Sequence, residues 1–297
     1  MSVDFSQLVK PEMIEVLNFE TLLQSRKEEL IKLWPLDEQD DIRQTIARES
    51  EPLTKLLQEN CYRELILRNR INQAALSVLL AFAEKSDLDA VVANYGITRL
   101  IVSPATQNSP AVYETDSALR DRASLVFDSL SVAGPESSYK YYAFTADGRV
   151  SDVSVISPSP AYITVSILQL DSLNNSASQE LVDIVKKALS AEAVRPIGDR
   201  VTVQSAQIIE YSIDADIYIG KDPEAATLIE LIRSNIQSYV LAEKRIGRSI
   251  RLSALYAQMH ISGVNRVIIN SPAHDIEISA EQASFCVSVN VKLAGVE

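Results

Sequence analysis

Residues 53–85, LTKLLQENCYRELILRNRINQAALSVLLAFAEK, run for 33 positions without a glycine or a proline. Pro52, just ahead of them, suits a first helical turn, where an amide N–H has no intrahelical partner to lose. Ser50 and Glu51 complete the start signal, and the spacing predicts one helix through the run, well beyond the usual globular length. Leu53, Leu57, Cys61 and Leu65 recur four apart, and Leu76, Leu79 and Leu80 with Phe82 form a denser apolar end. Such a helix must bury more than one face. Two arrangements satisfy that requirement: a core helix of the chain's own N-terminal bundle, or a bundle shared with other subunits.

The rest of the chain divides by period. Helical character extends from about residue 19 to 95, interrupted by the acidic PLDEQDD after Trp34, and SDLDAVVANYG reads as a capped short helix closed by Gly96. An extended segment then leads to Asp116, expected to cap a helix whose apolar face is Leu119, Ala123, Val126, Phe127 and Leu130. Gly134-Pro135 ends it. The next helix carries Tyr139, Tyr142, Ala143 and Ala146 and is expected to close at Asp147-Gly148 with the glycine left-handed. Together they make a helical hairpin.

Alternating runs follow: VSDVSVI, a SPSP turn and YITVSILQL, then the helix SQELVDIVKKALSAE and the strand-like RVTVQSAQIIEYSIDADIYIG. These read as a ββαβ unit. The remaining residues supply two helices, one with Pro223 in its first turn and one closed by Gly263, and the strands VNRVIINSP and ASFCVSVNVKL. The fold class predicted is α+β, with an N-terminal helical region at 1–96, a linker and hairpin at 97–148, and two small α/β units with mixed or antiparallel sheets at 149–219 and 220–297.

A formal net charge of −12 opposes bulk attraction to nucleic acid or an anionic membrane, because neutralising phosphate requires clustered Lys and Arg. No window approaches 18 uncharged apolar residues, so the expectation is cytoplasmic synthesis without a membrane anchor. Cys61 and Cys286 read as separate buried thiols, and the two histidines, His260 and His274, fit no zinc-ligand spacing. With 8 glycines and no GxGxxG or GxxxxGK[ST], no cofactor is predicted. Asp214 and Asp216 share one strand face, and His274 precedes Asp275. These three residues are the best material for a small cytoplasmic α+β enzyme; the competing reading makes the aspartates a solvated polar face. The aromatics of YKYYAF read as packing, since nucleic-acid platforms pair aromatics with a positive groove.

The stretch from Tyr113 to Leu168 resembles the baseplate assembly protein J family of contractile tails, found in temperate myophages and R-type phage-tail-like bacteriocins. Glu114, Asp116, Arg120, Arg122, Ala133, Gly134, Pro135, Tyr139 and Ala143 match the family's acidic, arginine-rich and AGP positions, followed by Val150, Val153 and Pro158. A second block matches at Gly247, Leu255, Gly263, Val264 and Pro272. About two thirds of the chain is covered, and the N-terminal 90 residues match only in helical character. SPSPAY stands where many relatives have glycine, a departure in turn geometry.

The resemblance implies a non-enzymatic subunit of the baseplate wedge, the ring that holds the extended tail and transmits the contraction trigger to the sheath. It implies partners as well: a second copy and baseplate protein I in a 2:1 wedge, neighbouring wedges in a sixfold ring, a sheath-initiator or hub-associated baseplate protein, and tail-fibre attachment through protein I. Nucleic acid and membrane are not among them. Assembly is expected in the bacterial cytoplasm, and residence in the tail baseplate of the particle. The expected interface residues are Leu53, Leu57, Leu65, Leu79 and Phe82 in the helical bundle, Arg120 and Arg122 as orientation-fixing ion pairs, and Tyr139.

Overall fold

A computed structural model describes residue 5 and residues 8–131, 134–170, 172, 174–192, 194–220 and 225–296. The chain forms two compact units, Met1–Thr98 and Arg99–Glu297.

Among the described residues, the first unit carries helices α1 (Phe19–Lys32), α2 (Gln39–Ile46), α3 (Pro52–Ser77) and α4 (Lys85–Ala93). Asn18 caps α1, its side-chain oxygen accepting the Thr21 N–H at 3.0 Å. Helix α3 starts at Pro52 as expected but stops after 26 residues, short of the apolar end that the sequence joined to it. The Ser77 hydroxyl donates to the Ala74 carbonyl at 3.0 Å, competing with the helical ladder. Tight turns follow, with the Leu79 N–H on Leu76 O and the Phe82 N–H on Leu79 O, and they fold Ala83 inward. Leu23 and Ile31 of α1, Ile46 of α2, Cys61 of α3 and Leu88 and Val92 of α4 are buried, as are Ala83 and Ile97 in the connections.

Polar clamps hold residue 15 and α1 against α3. Glu64 takes Arg26 at 2.6 Å and Arg68 at 2.7 Å, and these two hydrogen-bonded cations hold its carboxyl below the usual range. Asn72 accepts the Glu15 N–H through Oδ1 at 3.2 Å and donates through Nδ2 to the Glu15 carbonyl at 2.9 Å.

The second unit opens with the two-stranded ribbon β1 (Ile101–Ser103) and β2 (Val112–Tyr113), then α5 (Asp116–Ser124) and α6 (Glu136–Ala146). Thr115, not Asp116, caps α5, its hydroxyl accepting the Ala118 N–H at 3.2 Å. Because α5 ends at Ser124, the face expected to reach Leu130 is broken: Leu119, Ala123 and Val126 are buried, while Phe127 and Leu130 are exposed. Gly148 is not left-handed either. A Cβ there would lie 2.7 Å from the Ile101 carbonyl oxygen, so close approach of β1 explains the glycine. Ala133 and Pro223 lie outside the described residues.

Next come β3 (Val150–Ser159), β4 (Tyr162–Gln169), α7 (Gln179–Leu189) and β5 (Arg200–Ser205), forming a sheet of order β3-β4-β5 with β4 and β5 parallel. The β3–β4 turn is Pro160-Ala161 rather than the whole of SPSP, since Ser159 already pairs with Tyr162. Ser178 caps α7, which lays Leu181, Val185 and Leu189 on the sheet beside Tyr139 and Ala143 of α6. Val153, Val155, Val165, Ile167 and Val203 complete this core.

The sheet that follows corrects the sequence grouping. Strand β6 (Gln207–Ile219) does not join the preceding strands; it is the centre of a second sheet, β7-β6-β8, with β7 (Val264–Ser271) and β8 (Gln282–Val296). The reason lies in burial: Ile213, Ala215, Ile217 and Ile219 face α8 (Ala225–Glu243) and α9 (Leu252–Met259), packing on Ile232, Ile236, Leu255 and Met259. Leu168, Ala206 and Ala283 form a small core of their own at the joint between the sheets, and the Ile246 N–H donates to Asp152 Oδ2 at 2.7 Å there.

Candidate assembly surfaces

Helix α3 has two differently used sides. Thr54, Cys61 and Asn72 are buried, and Leu53, Leu57 and Leu65 are half-buried, as are Leu79 and Phe82 beyond its end. Tyr62 and Ile66 are exposed on other sides of α3; the remaining apolar side chains open to solvent are Leu56, Leu67, Ile71 and, at the C-cap, Val78, at 56, 62, 67 and 69% exposure. Their spacings of 11, 4 and 7 return to one side of a helix with 3.6 residues per turn. A row of this kind on a solvated helix marks a contact surface rather than scattered exposure. The expected interface residues Leu53, Leu57, Leu65, Leu79 and Phe82 are each covered in part by the chain itself and remain in part open.

In the second unit, Arg122 and Glu114 are both buried, Arg122 Nη2 lying 2.5 Å from Glu114 Oε1. Arg99 ties the same corner, donating to the Glu114 carbonyl at 2.8 Å and reaching Asp116 Oδ1 at 2.7 Å. These contacts fix β2 and the start of α5 over a cleft of about 320 Å³, whose walls include Phe144, Val150, Asp152 and Arg245. Arg120 is half-buried on α5. Tyr139 is buried on α6, its hydroxyl donating to Asp199 Oδ2 at 2.6 Å. Two of the expected interface residues, Arg122 and Tyr139, therefore direct polar atoms to partners within the chain.

The enzyme reading finds its residues otherwise engaged. Asp214 accepts from Asn290 at 2.6 Å, and Asp216 accepts from Asn270 at 2.9 Å, on the sheet face opposite the helices. Asp275 accepts the Leu252 N–H at 2.8 Å and pairs with Arg251 at 3.1 Å, capping α9 rather than orienting His274, which is exposed. Among the described residues, no group of three or more His, Cys, Asp or Glu could hold a metal ion, and no helix is long and apolar enough to cross a membrane.

These features define a two-unit α+β chain whose described residues present packing surface and internally satisfied ion pairs. Family models place it further. The Baseplate J-like N-terminal domain matches residues 49–106, the central domain residues 131–205, and the C-terminal domain residues 211–292. Baseplate protein J of Escherichia phage P2 is 46% identical over 297 residues, covering 99% of this chain and 98% of that protein. The chain belongs to the baseplate J family. The gap between the central and C-terminal matches falls at the joint between β5 and β6, where the structure changes sheets. A chain in the cryo-EM structure of the anti-feeding prophage (AFP) baseplate, 6-fold symmetrised, overlaps 60% of this chain and 43% of its own length at 12% identity, with a TM-score of 0.41, too loose an overlap to carry an argument.

Proposed function

We propose that this chain is a structural wedge subunit of a contractile tail baseplate, without a catalytic role, assembled in the bacterial cytoplasm and resident in the particle's baseplate. In this reading a second copy and baseplate protein I share a helical bundle with α3, and the α/β units meet neighbouring wedges around a ring. The ring holds the tail extended and passes the contraction trigger to the sheath by repacking interfaces. The observation that carries the reading is the outward row of Leu56, Leu67, Ile71 and Val78, apolar surface that a shared bundle would bury, on a chain whose relative is a baseplate protein. Co-expression with the neighbouring tail genes, followed by native mass measurement, tests it. A complex of two copies with one of protein I is expected; a lone monomer would overturn it.

A further inference from the structure

We propose that the open edge of β8, with the groove beside α8, receives an extended segment of a different tail protein as an added strand. The inference deepens the baseplate reading and rests on it for where the partner is found. Strand β8 pairs with β6 along one side, from Gln282 to Val296. On its other side only the beginning is covered: the Gly247 N–H donates to the Gln282 carbonyl at 2.9 Å, and Ile246 bridges Ala283. From Cys286 onward, among the described residues, no strand lies alongside. Register shifts interrupt the edge between Cys286 and Ser288 and between Leu293 and Gly295, leaving Ser288–Leu293 as a regular run against Ser212–Ile217. Such irregularities break up an edge that would otherwise pair indiscriminately, and what remains is short and defined.

That run borders a groove of about 550 Å³ between Ile229, Glu230 and Arg233 of α8 and residues 290–293 of β8. Arg233 Nη2 donates to the Val291 carbonyl at 3.0 Å, supplying by side chain the hydrogen bond that an adjacent strand would bring. Val291 and Leu293 are two apart and pair regularly, so the Leu293 amide faces the same edge. On the α8 side the groove sets apolar Ile229 and Leu293 beside Arg233, which also pairs with Glu230 at 2.7 Å, while Lys292 projects along the same edge on the opposite sheet face. Lys292 is 60% exposed, and Asp214 stands 3.8 Å from it, a loose contact shared with the tighter Asn290 bond. The complementary occupant is an extended segment that turns apolar residues toward Ile229 and Leu293 and alternate, acidic residues toward the exposed Lys292. A second copy of β8 does not qualify, because QASFCVSVNVKLAGV contains no carboxylate and its pairing would set lysine near lysine.

The test compares amide hydrogen exchange of residues 288–293 in the purified full-length chain and in purified tails, with mass spectrometry first establishing that the tails contain the chain. The expected result is exchange slower by about 100-fold in tails, with Lys292 cross-linking to a peptide of another tail protein. Leu293→Pro keeps an apolar side chain while removing an edge donor, and Lys292→Glu reverses the charge; each should lower incorporation into tails about tenfold in competition with the unaltered chain while its melting temperature is preserved. If Leu293→Pro fails to fold, Lys292→Glu carries the comparison. Unchanged exchange in tails that contain the chain, or cross-links from Lys292 confined to a second copy, would overturn this inference alone. Absence of the chain from tails would overturn the baseplate reading and this inference with it.

Discussion

Arg122 Nη2 meets Glu114 Oε1 at 2.5 Å with side-chain exposures of 4 and 7%, so one β2–α5 corner is held by an ion pair almost wholly removed from water. Breaking such a pair leaves the surviving charge buried without compensation, at about 3–5 kcal/mol, whereas replacing both partners by apolar residues of similar volume is often neutral. Arg122→Ala and Glu114→Ala are each expected to lose stability on that scale. The double variant Glu114→Leu, Arg122→Met should recover most of it. Urea denaturation followed by two probes measures the cycle, and additive losses would show that the two residues do not act as a pair.

Tyr139 is buried, and burial first, then its hydrogen bond to Asp199, pushes its phenol above the ordinary tyrosine range. A folded pKa above the unfolded value of about 10 means the folded chain holds this proton more tightly. The contribution is complete below about pH 10 and is lost as pH rises through the folded value. Tyr139→Phe is expected to cost about 0.5–1.5 kcal/mol at neutral pH and to make the alkaline decline in melting temperature shallower. Tyr211, also raised by burial, keeps part of that decline.

Legibility in the sequence followed the range of the interaction. Helix α7 was readable because its cap, Ser178, and its buried row, Leu181, Val185 and Leu189, lie within one short segment. The family resemblance in the 113–168 stretch rested equally on local residues. The partner of β6 was not readable, because the alternation of Ile213, Ala215 and Ile217 shows which face is buried but not which strands lie beside it; Val267 and Leu293, which flank Ile217, are 50 and 76 residues away. The end of α3 was missed for a different reason: residues 78–85 retain helical composition, and the turn depends on the Ser77 hydroxyl and on where Ala83 finds cover. The outward row on α3 interleaves with the inward one, so only the packing of α1 separates them.

Asp152 gives a second pH-linked expectation, of smaller size. Burial raises its carboxyl above the usual range, against the opposing pull of the Ile246 N–H that it accepts at the joint between the sheets. The folded chain therefore holds the proton more tightly than the unfolded one, and acidification toward the folded pKa relieves the buried charge. Asp152→Asn keeps an acceptor for Ile246 and removes the charge, so it should gain about 1 kcal/mol at pH 7, while Asp152→Ala should lose about 1–2 kcal/mol. Melting curves at several pH values check both, and the advantage of the asparagine variant should shrink as pH falls.

The two sides of α3 separate folding from assembly. Ile46, whose carbonyl accepts the Thr54 hydroxyl at 3.0 Å, is buried in the first unit, and Ile46→Ala should cost about 2–5 kcal/mol through the cavity left behind. Leu67 and Ile71 face solvent on the other side, and Leu67→Glu with Ile71→Glu should change the stability of the isolated chain by about 0.5 kcal/mol or less per site. The same double substitution would force two carboxylates into a dry helix–helix seam, which no bundle tolerates without partners for them. Thermal melting of the isolated chain and native mass measurement after co-expression with the neighbouring tail proteins read the two effects independently. A double variant that melts like the unaltered chain yet no longer enters the complex assigns the row to a shared bundle; one that still assembles in full removes α3 from the interface.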